Sequence, residues 1–258
     1  MNEMFAELVA MGRGWLVLAG IVFLRVGAAM ALLPAFGERS IPERIRLVLA
    51  LAFTAIVFPA VATSLQTRLD AGTLPGFFLI TEAVAGLAIG IVIRLFVLAL
   101  QIAGSIAAQS TSLAQIFGGD TVEPQPAIGH VLLVAGLALA VMLGLHVRLA
   151  QVLILSYDIL PAGQMPGGDL LSQWGVARIA KAFGLAFTLA APFVIASLIY
   201  NVALGVINRA MPQLMVAFVG APAITAAGLI LLFLTAPVLL STWIRALDLF
   251  LNAPFGAW

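Results

Sequence analysis

The sequence contains no cysteine and only two histidines among its 258 residues. The first absence excludes disulfides, thiolate metal ligands and thiol nucleophiles. Neither His130 nor His146 has a cluster of carboxylates near it, although a zinc site needs three or four ligands. The sequence also lacks the Gly-x-Ser-x-Gly, His-Glu-x-x-His and phosphate-binding glycine motifs. We therefore expect no cofactor, no bound metal and no enzymatic activity.

Charge is scarce as well, because lysine, arginine, aspartate and glutamate together make up 9% of the chain. The formal net charge is +1 and no basic run occurs, so binding to nucleic acid is not expected. Apolar residues account for 63%, a fraction that is typical of a multi-span membrane protein and too high for a soluble domain. We predict an all-α polytopic membrane protein in which residues 1–258 form one integral membrane domain.

Apolar segments follow one another along the chain. A helix needs about 20 mainly apolar residues to cross the hydrocarbon core of a bilayer. We predict six segments, at residues 14–33, 47–64, 77–102, 127–157, 176–207 and 216–243. The fourth is long enough to span with tilt, or to break near Gly144 and His146. Pro192 and Pro222 predict bent helices that pack against protein, and the arginines and lysines of alternate loops balance too closely to set the topology.

Three charged residues interrupt these apolar segments: Arg25, Glu82 and Arg94. An unpaired charge there costs about 2.5–3.5 kcal/mol on insertion scales, so each needs a partner or a wet cavity. Glu82 could belong to a proton or ion path, or it could form a structural pair with Arg25, with Arg94 or with another subunit. Glu82 and Arg94 are more than three helical turns apart and cannot pair within one straight helix. We favour the structural interpretation, because buried charges are commonly paired.

Small residues recur at the spacing that lets membrane helices approach closely. Gly86 and Gly90 lie four positions apart, and Gly104 lies four positions before Ala108. Such positions predict helix packing, either within the chain or between subunits.

A polar stretch at residues 104–129 separates the third and fourth apolar segments and contains no lysine or arginine. So many uncharged polar side chains either line or plug something wet, or form an ordinary loop in water. The residues that we consider for a plug are Ser105, Gln109, Ser110, Thr111, Ser112, Gln115, Phe117, Gly118, Gly119, Asp120 and Glu123. Gly118 and Gly119 would give such a segment the freedom to move aside.

Several separated patterns share the order and spacing of one known family. They are Arg25 with the turn Pro34, Phe36 and Gly37; Ile41, Pro42, Arg44 and Arg46; a helix ending at Pro59; Glu82, Gly86 and Gly90; Ala103, Gly104 and Gln109; Gly144 with His146; Ser156, Leu160 and Pro161; Ala191 and Pro192; and Gly205, Asn208, Arg209, Pro212, Gln213, Gly220 and Pro222. On these residues the chain resembles the FliR family, the flagellar member of the type III secretion export-gate proteins.

The resemblance implies a non-enzymatic export-gate subunit in the bacterial inner membrane, at the flagellar basal body. Its relatives assemble with FliP-like and FliQ-like subunits, contact an FlhB-like protein, and wind bent helical hairpins around a conduit that is largely lifted out of the bilayer plane. Unfolded flagellar proteins would be the exported substrates. The plug loop of the family corresponds by position to the polar stretch, roughly at residues 105–123.

The sequence departs from the family pattern in two places. Leu145 replaces the first histidine of the common Gly-His-His, and the loop that often contains Phe-Asp-Pro has Phe117, Gly118, Gly119 and Asp120, with a proline only at Pro124. Two alternatives remain open. One is the equivalent subunit of a virulence-type injectisome, and the other is a secondary transporter or channel that acts alone, which often shows two similar halves that are not found here.

Overall fold

The computed structural model describes residues 2–38, 41–70, 75–111, 127–211 and 216–256. These residues form helices and contain no strand, which confirms the predicted all-α class. The helices are α1 (Asn2–Met30), α2 (Glu43–Asp70), α3 (Pro75–Thr111), α4 (Ala127–Met142), α5 (Leu145–Ile159), α6 (Gly168–Ala210) and α7 (Val216–Asn252).

Four of these helices are long and apolar enough to cross a membrane: α2, α3, α6 and α7. The pair α4 and α5 makes a fifth candidate if the two together count as one broken span. The fourth predicted segment is therefore broken, as one of the two alternatives required. Gly144 stands at the break with a φ of 83°, a left-handed conformation that glycine adopts without steric cost. Pro59 and Pro192 lie inside helices that continue past them.

The chain divides into two compact units, and α3, α4, α6 and α7 each contribute residues to both. The first unit comprises Met1–Leu95, Val141–Arg178 and Phe250–Trp258. Its core contains α1, the first part of α3 and α5, through side chains such as Val22, Ile93, Leu149 and Leu153, which are almost completely buried. In the turn after α1, Ala35 adopts a positive φ of 64°.

The second unit comprises Phe96–Ala140 and Ile179–Leu249. Its core is built around Trp243 of α7, whose side chain is 1% exposed. The indole Nε1–H donates a hydrogen bond of 2.8 Å to the carbonyl oxygen of Phe96 in α3. A Cβ placed on Gly136 of α4 would lie 2.7 Å from Cδ1 of Leu100 and in ordinary contact with the Trp243 ring, at 3.5 Å, so the glycine lets α4 approach Leu100 of α3 beside the indole. The polar atom of a buried tryptophan is thus satisfied inside an apolar core.

Candidate functional site

Arg25 and Glu82 form an ion pair in the interior of the first unit, with side chains that are 1% and 0% exposed. Arg25 lies on α1 and Glu82 on α3, 57 positions apart in the sequence. The Arg25 Nε donates to Glu82 Oε2 at 2.8 Å, and the second guanidinium nitrogen Nη2 donates to Glu82 Oε1 at 3.0 Å. Two parallel bonds of this kind use the planar geometry that arginine shares with a carboxylate.

The same guanidinium also binds the C-terminal end of α5. Nη1 donates to Ser156 Oγ at 3.0 Å, and Nη2 donates to the carbonyl oxygen of Leu160 at 2.8 Å. The Ser156 hydroxyl in turn donates to the carbonyl oxygen of Leu153 at 2.6 Å. The ring of Tyr157 covers the guanidinium, with 3.7 Å between the ring centroid and Cζ. Arg25 therefore joins α1, α3 and the end of α5 through one side chain.

Two glycines of α3 explain why Glu82 can reach Arg25. Gly86 follows Glu82 by one helical turn on the same face, and a Cβ at Gly86 would collide with the backbone oxygen of Arg25. Gly90 lies one turn further, and a Cβ there would meet the carbonyl oxygen of Ala29 at 2.8 Å. The Gly86 and Gly90 pair thus packs against α1 of the same chain, and this close approach sets the distance that the ion pair bridges.

Arg94 differs from the other two charges of the apolar segments. Its side chain is 29% exposed and pairs with Glu38, at 2.7 Å between Nη1 and Oε1. Arg94 is therefore only partly buried, although its place inside an apolar segment predicts a buried charge. The turn after α1 brings Glu38 to the surface of α3, where solvent reaches both side chains. Such a half-exposed pair contributes up to about 1 kcal/mol to stability.

The ion pair at the centre of the Arg25 cluster has hydrogen-bond partners for both of its charged groups. Both carboxylate oxygens of Glu82 accept hydrogen bonds from Arg25, and all three guanidinium nitrogens have an acceptor. The geometry therefore favours the structural interpretation of the two charges over a proton path.

The polar stretch begins as helix. Ser105, Gln109 and Ser110 lie in the last turns of α3, which ends at Thr111, and Ser110 Oγ donates to the carbonyl oxygen of Ala107 at 2.8 Å. The other residues considered for the plug lie outside the described residues: Ser112, Gln115, Phe117, Gly118, Gly119, Asp120 and Glu123.

The helices on either side of the polar stretch touch each other. A Cβ at Gly104 of α3 would collide with the Cα of Gly129 of α4, and it would lie 2.7 Å from the Gly129 nitrogen. The third packing glycine therefore brings two backbones of the second unit into contact. This contact fixes the separation of the two helices close to the points where residues 112–126 leave and rejoin them.

Sequence reasoning missed several partners that the structure brings to these charges. Ser156, Leu160 and Tyr157 contact Arg25, and Glu38 pairs with Arg94. Polar side chains at the end of the apolar run 145–155 were the available signal for the first group. No periodicity in the sequence could have located the contact with a backbone carbonyl.

Arg178 was not among the residues that the sequence singled out. It lies in α6 with a side chain 7% exposed, and its Nη2 donates to the carbonyl oxygen of Gly256 at 2.8 Å. The rings of Trp174 and Phe250 lie 5.7 and 5.6 Å from its guanidinium carbon. Arg178 thus binds the residues that follow α7 to the start of α6.

Among the described residues no group of three or more histidine, aspartate or glutamate side chains could hold a metal ion. Two arginine–carboxylate pairs lie within the described residues, Arg25 with Glu82 and Arg94 with Glu38. The contacts of these residues hold helices together. They leave large apolar faces outside.

Comparisons with known proteins agree over nearly the whole chain. Residues 16–250 match the family described as bacterial export proteins, family 1. The flagellar biosynthetic protein FliR of Caulobacter vibrioides is 33% identical over 233 residues, which cover 87% of this chain and 90% of that protein. The proteins of the same name from Bacillus subtilis and Escherichia coli are 28% and 27% identical, over 85% and 87% of this chain and 86% of each of those proteins.

Proposed function

Because the chain belongs to the family of bacterial export proteins, family 1, we propose that it is a subunit of the flagellar type III protein export gate. The observation that carries this proposal is the match over residues 16–250, together with relatives that are named flagellar biosynthetic proteins. Those names favour the flagellar machine over an injectisome. The subunit would have no catalytic activity of its own and would lie in the bacterial inner membrane at the flagellar basal body.

In this role the chain would assemble with FliP-like and FliQ-like subunits, contact an FlhB-like protein and help to form a conduit for unfolded flagellar proteins. The apolar faces of α6 and α7 support such an assembly. Large side chains on both helices are exposed in the single chain, among them Leu198, Val202, Phe233 and Leu234. Surfaces of this size need lipid or other subunits to cover them.

The first test is purification of the tagged chain from cells that carry the whole export machine. We expect the FliP-like and FliQ-like proteins to co-purify in mild detergent. Replacing Phe233 by glutamate should weaken their recovery, because a charge would enter an apolar contact. The control Gln173→Glu places the same charge at an exposed polar position of α6 and should leave recovery unchanged.

A chain that is monodisperse in detergent and recovers neither partner would contradict the proposal. The competing stand-alone transporter makes the opposite prediction for the purified chain in liposomes, where it requires flux without partners. The export-gate proposal expects no flux there. The satisfied hydrogen bonds of Glu82 also argue against a lone transporter that uses this carboxylate.

We further propose that the polar stretch, roughly residues 105–123, closes the conduit. Its composition supports this role, since polar side chains without lysine or arginine suit a segment that blocks a water-filled passage and yields to a chain of any sequence. The contact between Gly104 and Gly129 supports it as well, because it fixes the two helix ends between which the polar stretch runs. A stretch whose two ends are fixed can move aside and then close the conduit again.

Shortening the stretch should open the passage. Deletion of Gly118, Gly119 and Asp120 is expected to raise the leak of ions and small molecules through the assembled gate, measured in cells or in reconstituted vesicles. Deletion of three residues from the connection between α5 and α6, residues 164–166, serves as the control and should not raise the leak. An unchanged leak through a fully assembled gate with the first deletion would contradict the assignment.

A further inference from the structure

A pocket of about 470 Å³ opens between α1 and the beginning of α2. Its walls are mostly apolar and include Phe23, Leu24 and Gly27 of α1 and Leu47 of α2. Two charged residues, Glu43 and Arg46, also line it. The volume lies within the range of about 300–1,000 Å³ that is usual for sites that bind small molecules.

Arg46 is the residue of this pocket whose charged group lacks a partner among the described residues. Its Nε is enclosed and has no hydrogen-bond partner, and none of its nitrogens pairs with a carboxylate in the part of the chain that the structure describes. Arg25 and Arg94, by contrast, each bind a carboxylate through two nitrogens. An enclosed donor without an acceptor is costly, and more so on a charged group.

Glu43 does not supply the missing acceptor. It is exposed, lies three positions before Arg46 and forms no ion pair with it. The exposed Arg44 adds a further positive charge between them. The segment therefore retains a net positive charge in front of apolar walls.

The position of Arg46 along α2 indicates what kind of anion would reach it. It lies in the first turns of a candidate span, Glu43–Leu69, and the next charged residue is Arg68 at the other end. Leu47 and Leu51 beyond it are each 52% exposed and continue an apolar surface. Phosphates of a bilayer lie at this level of an apolar helix, with the acyl chains beside the apolar surface that follows.

We propose that this pocket binds an anionic phospholipid, with the phosphate on the Arg46 guanidinium and an acyl chain along Phe23, Leu24 and Leu47. A lipid matches both parts of the pocket, because its phosphate is an anion for the charged end and its acyl chain is apolar like the walls. Free phosphate would supply only the first. The proposal is independent of the export function, and it applies equally to a helix that crosses the bilayer and to one that borders it.

The test uses the full chain, purified in detergent and supplied with phosphatidylglycerol or phosphatidylcholine of identical acyl chains. Native mass spectrometry measures the retained lipid, and thermal unfolding measures the stabilisation. We expect phosphatidylglycerol to be retained in preference to phosphatidylcholine. Arg46→Gln should lower its retention about fivefold, the effect of one basic residue at an anionic lipid surface.

Two further variants separate the pocket from general surface charge. Arg44→Gln removes an exposed positive charge that does not line the pocket, and should leave retention unchanged. Gly27→Leu fills the pocket without changing charge, since a Cβ there meets only the Phe23 ring, at 3.8 Å. It should lower retention while circular dichroism and monodispersity stay as in the parent chain.

Four results would overturn the proposal. They are equal losses with Arg44→Gln and Arg46→Gln, equal retention of the two lipids, stabilisation by inorganic phosphate alone that matches phosphatidylglycerol, and unchanged lipid retention in Arg46→Gln. If the last is accompanied by loss of a co-purifying subunit, the acceptor for Arg46 is a carboxylate of that subunit and not a lipid.

Discussion

Replacing Arg25 by methionine is expected to abolish recovery of a stably folded chain. The substitution leaves the Glu82 carboxylate completely buried with neither of its hydrogen-bond donors, and it also removes the donor for the carbonyl oxygen of Leu160. Breaking a buried pair by removing one partner costs about 3–5 kcal/mol. Whole domains are stable by only about 5–15 kcal/mol, so this loss is severe. Yield of monodisperse protein and thermal unfolding in detergent measure it.

The double variant Arg25→Met with Glu82→Met distinguishes the pair from the packing around it. With both charges replaced by apolar side chains of similar size, much of the lost stability should return, because no uncompensated charge remains. Recovery should be partial, since the carbonyl oxygen of Leu160 still lacks its donor. The control Arg94→Met breaks the half-exposed pair with Glu38 and should cost no more than about 1 kcal/mol. A double variant that is less stable than either single one would contradict this account.

The same cluster separates a structural role for Glu82 from a proton path. Glu82→Gln leaves Arg25 charged and buried, so the yield of the assembled complex should fall more than the dependence of export on the proton-motive force changes. A normal yield of complex together with abolished export would instead favour the proton path.

The sequence was sufficient to predict the class of the protein and part of the Arg25 cluster. Composition and run length predicted apolar helices, and a break near Gly144, which the structure has between α4 and α5, was one of the two alternatives left open for the fourth segment. The cost of an isolated charge predicted that Glu82 needs a partner and left Arg25 as one of the choices. These inferences rest on local physics, which a sequence carries without knowledge of tertiary contacts.

What remained out of reach depends on which helix packs against which. Gly86 and Gly90 mark a packing face of α3, but nothing in their spacing identifies α1 as the neighbour. The contact between Arg25 and the carbonyl oxygen of Leu160 joins positions 135 apart. It involves a backbone atom that every residue has, so the residue type at position 160 could not predict it. Glu38 lies in a turn whose path, and not its composition, brings it to Arg94.

Gly104→Ala is expected to disrupt the second unit, whereas Gly129→Ala in the same contact should be tolerated. A Cβ at Gly104 would collide with backbone atoms of Gly129, which cannot turn away as a flexible side chain could. The helices α3 and α4 would have to separate, and forced overpacking of this kind costs about 1–3 kcal/mol. A Cβ at Gly129, in contrast, points past the other backbone and meets its nearest atom, the Cα of Gly104, at 3.4 Å.

Gly184→Ala completes this comparison, because its Cβ meets nothing within 4 Å and alanine is favoured over glycine inside a helix by about 1 kcal/mol. The temperature of thermal unfolding should therefore be well below that of the parent chain for Gly104→Ala, close to it for Gly129→Ala, and equal to it or higher for Gly184→Ala. In the assembled gate, Gly104→Ala should also raise the leak if the contact holds the base of the polar stretch. Equal destabilisation by both alanines would mean that the two helices do not meet with this geometry, and the support that the contact gives to the closure proposal would be lost.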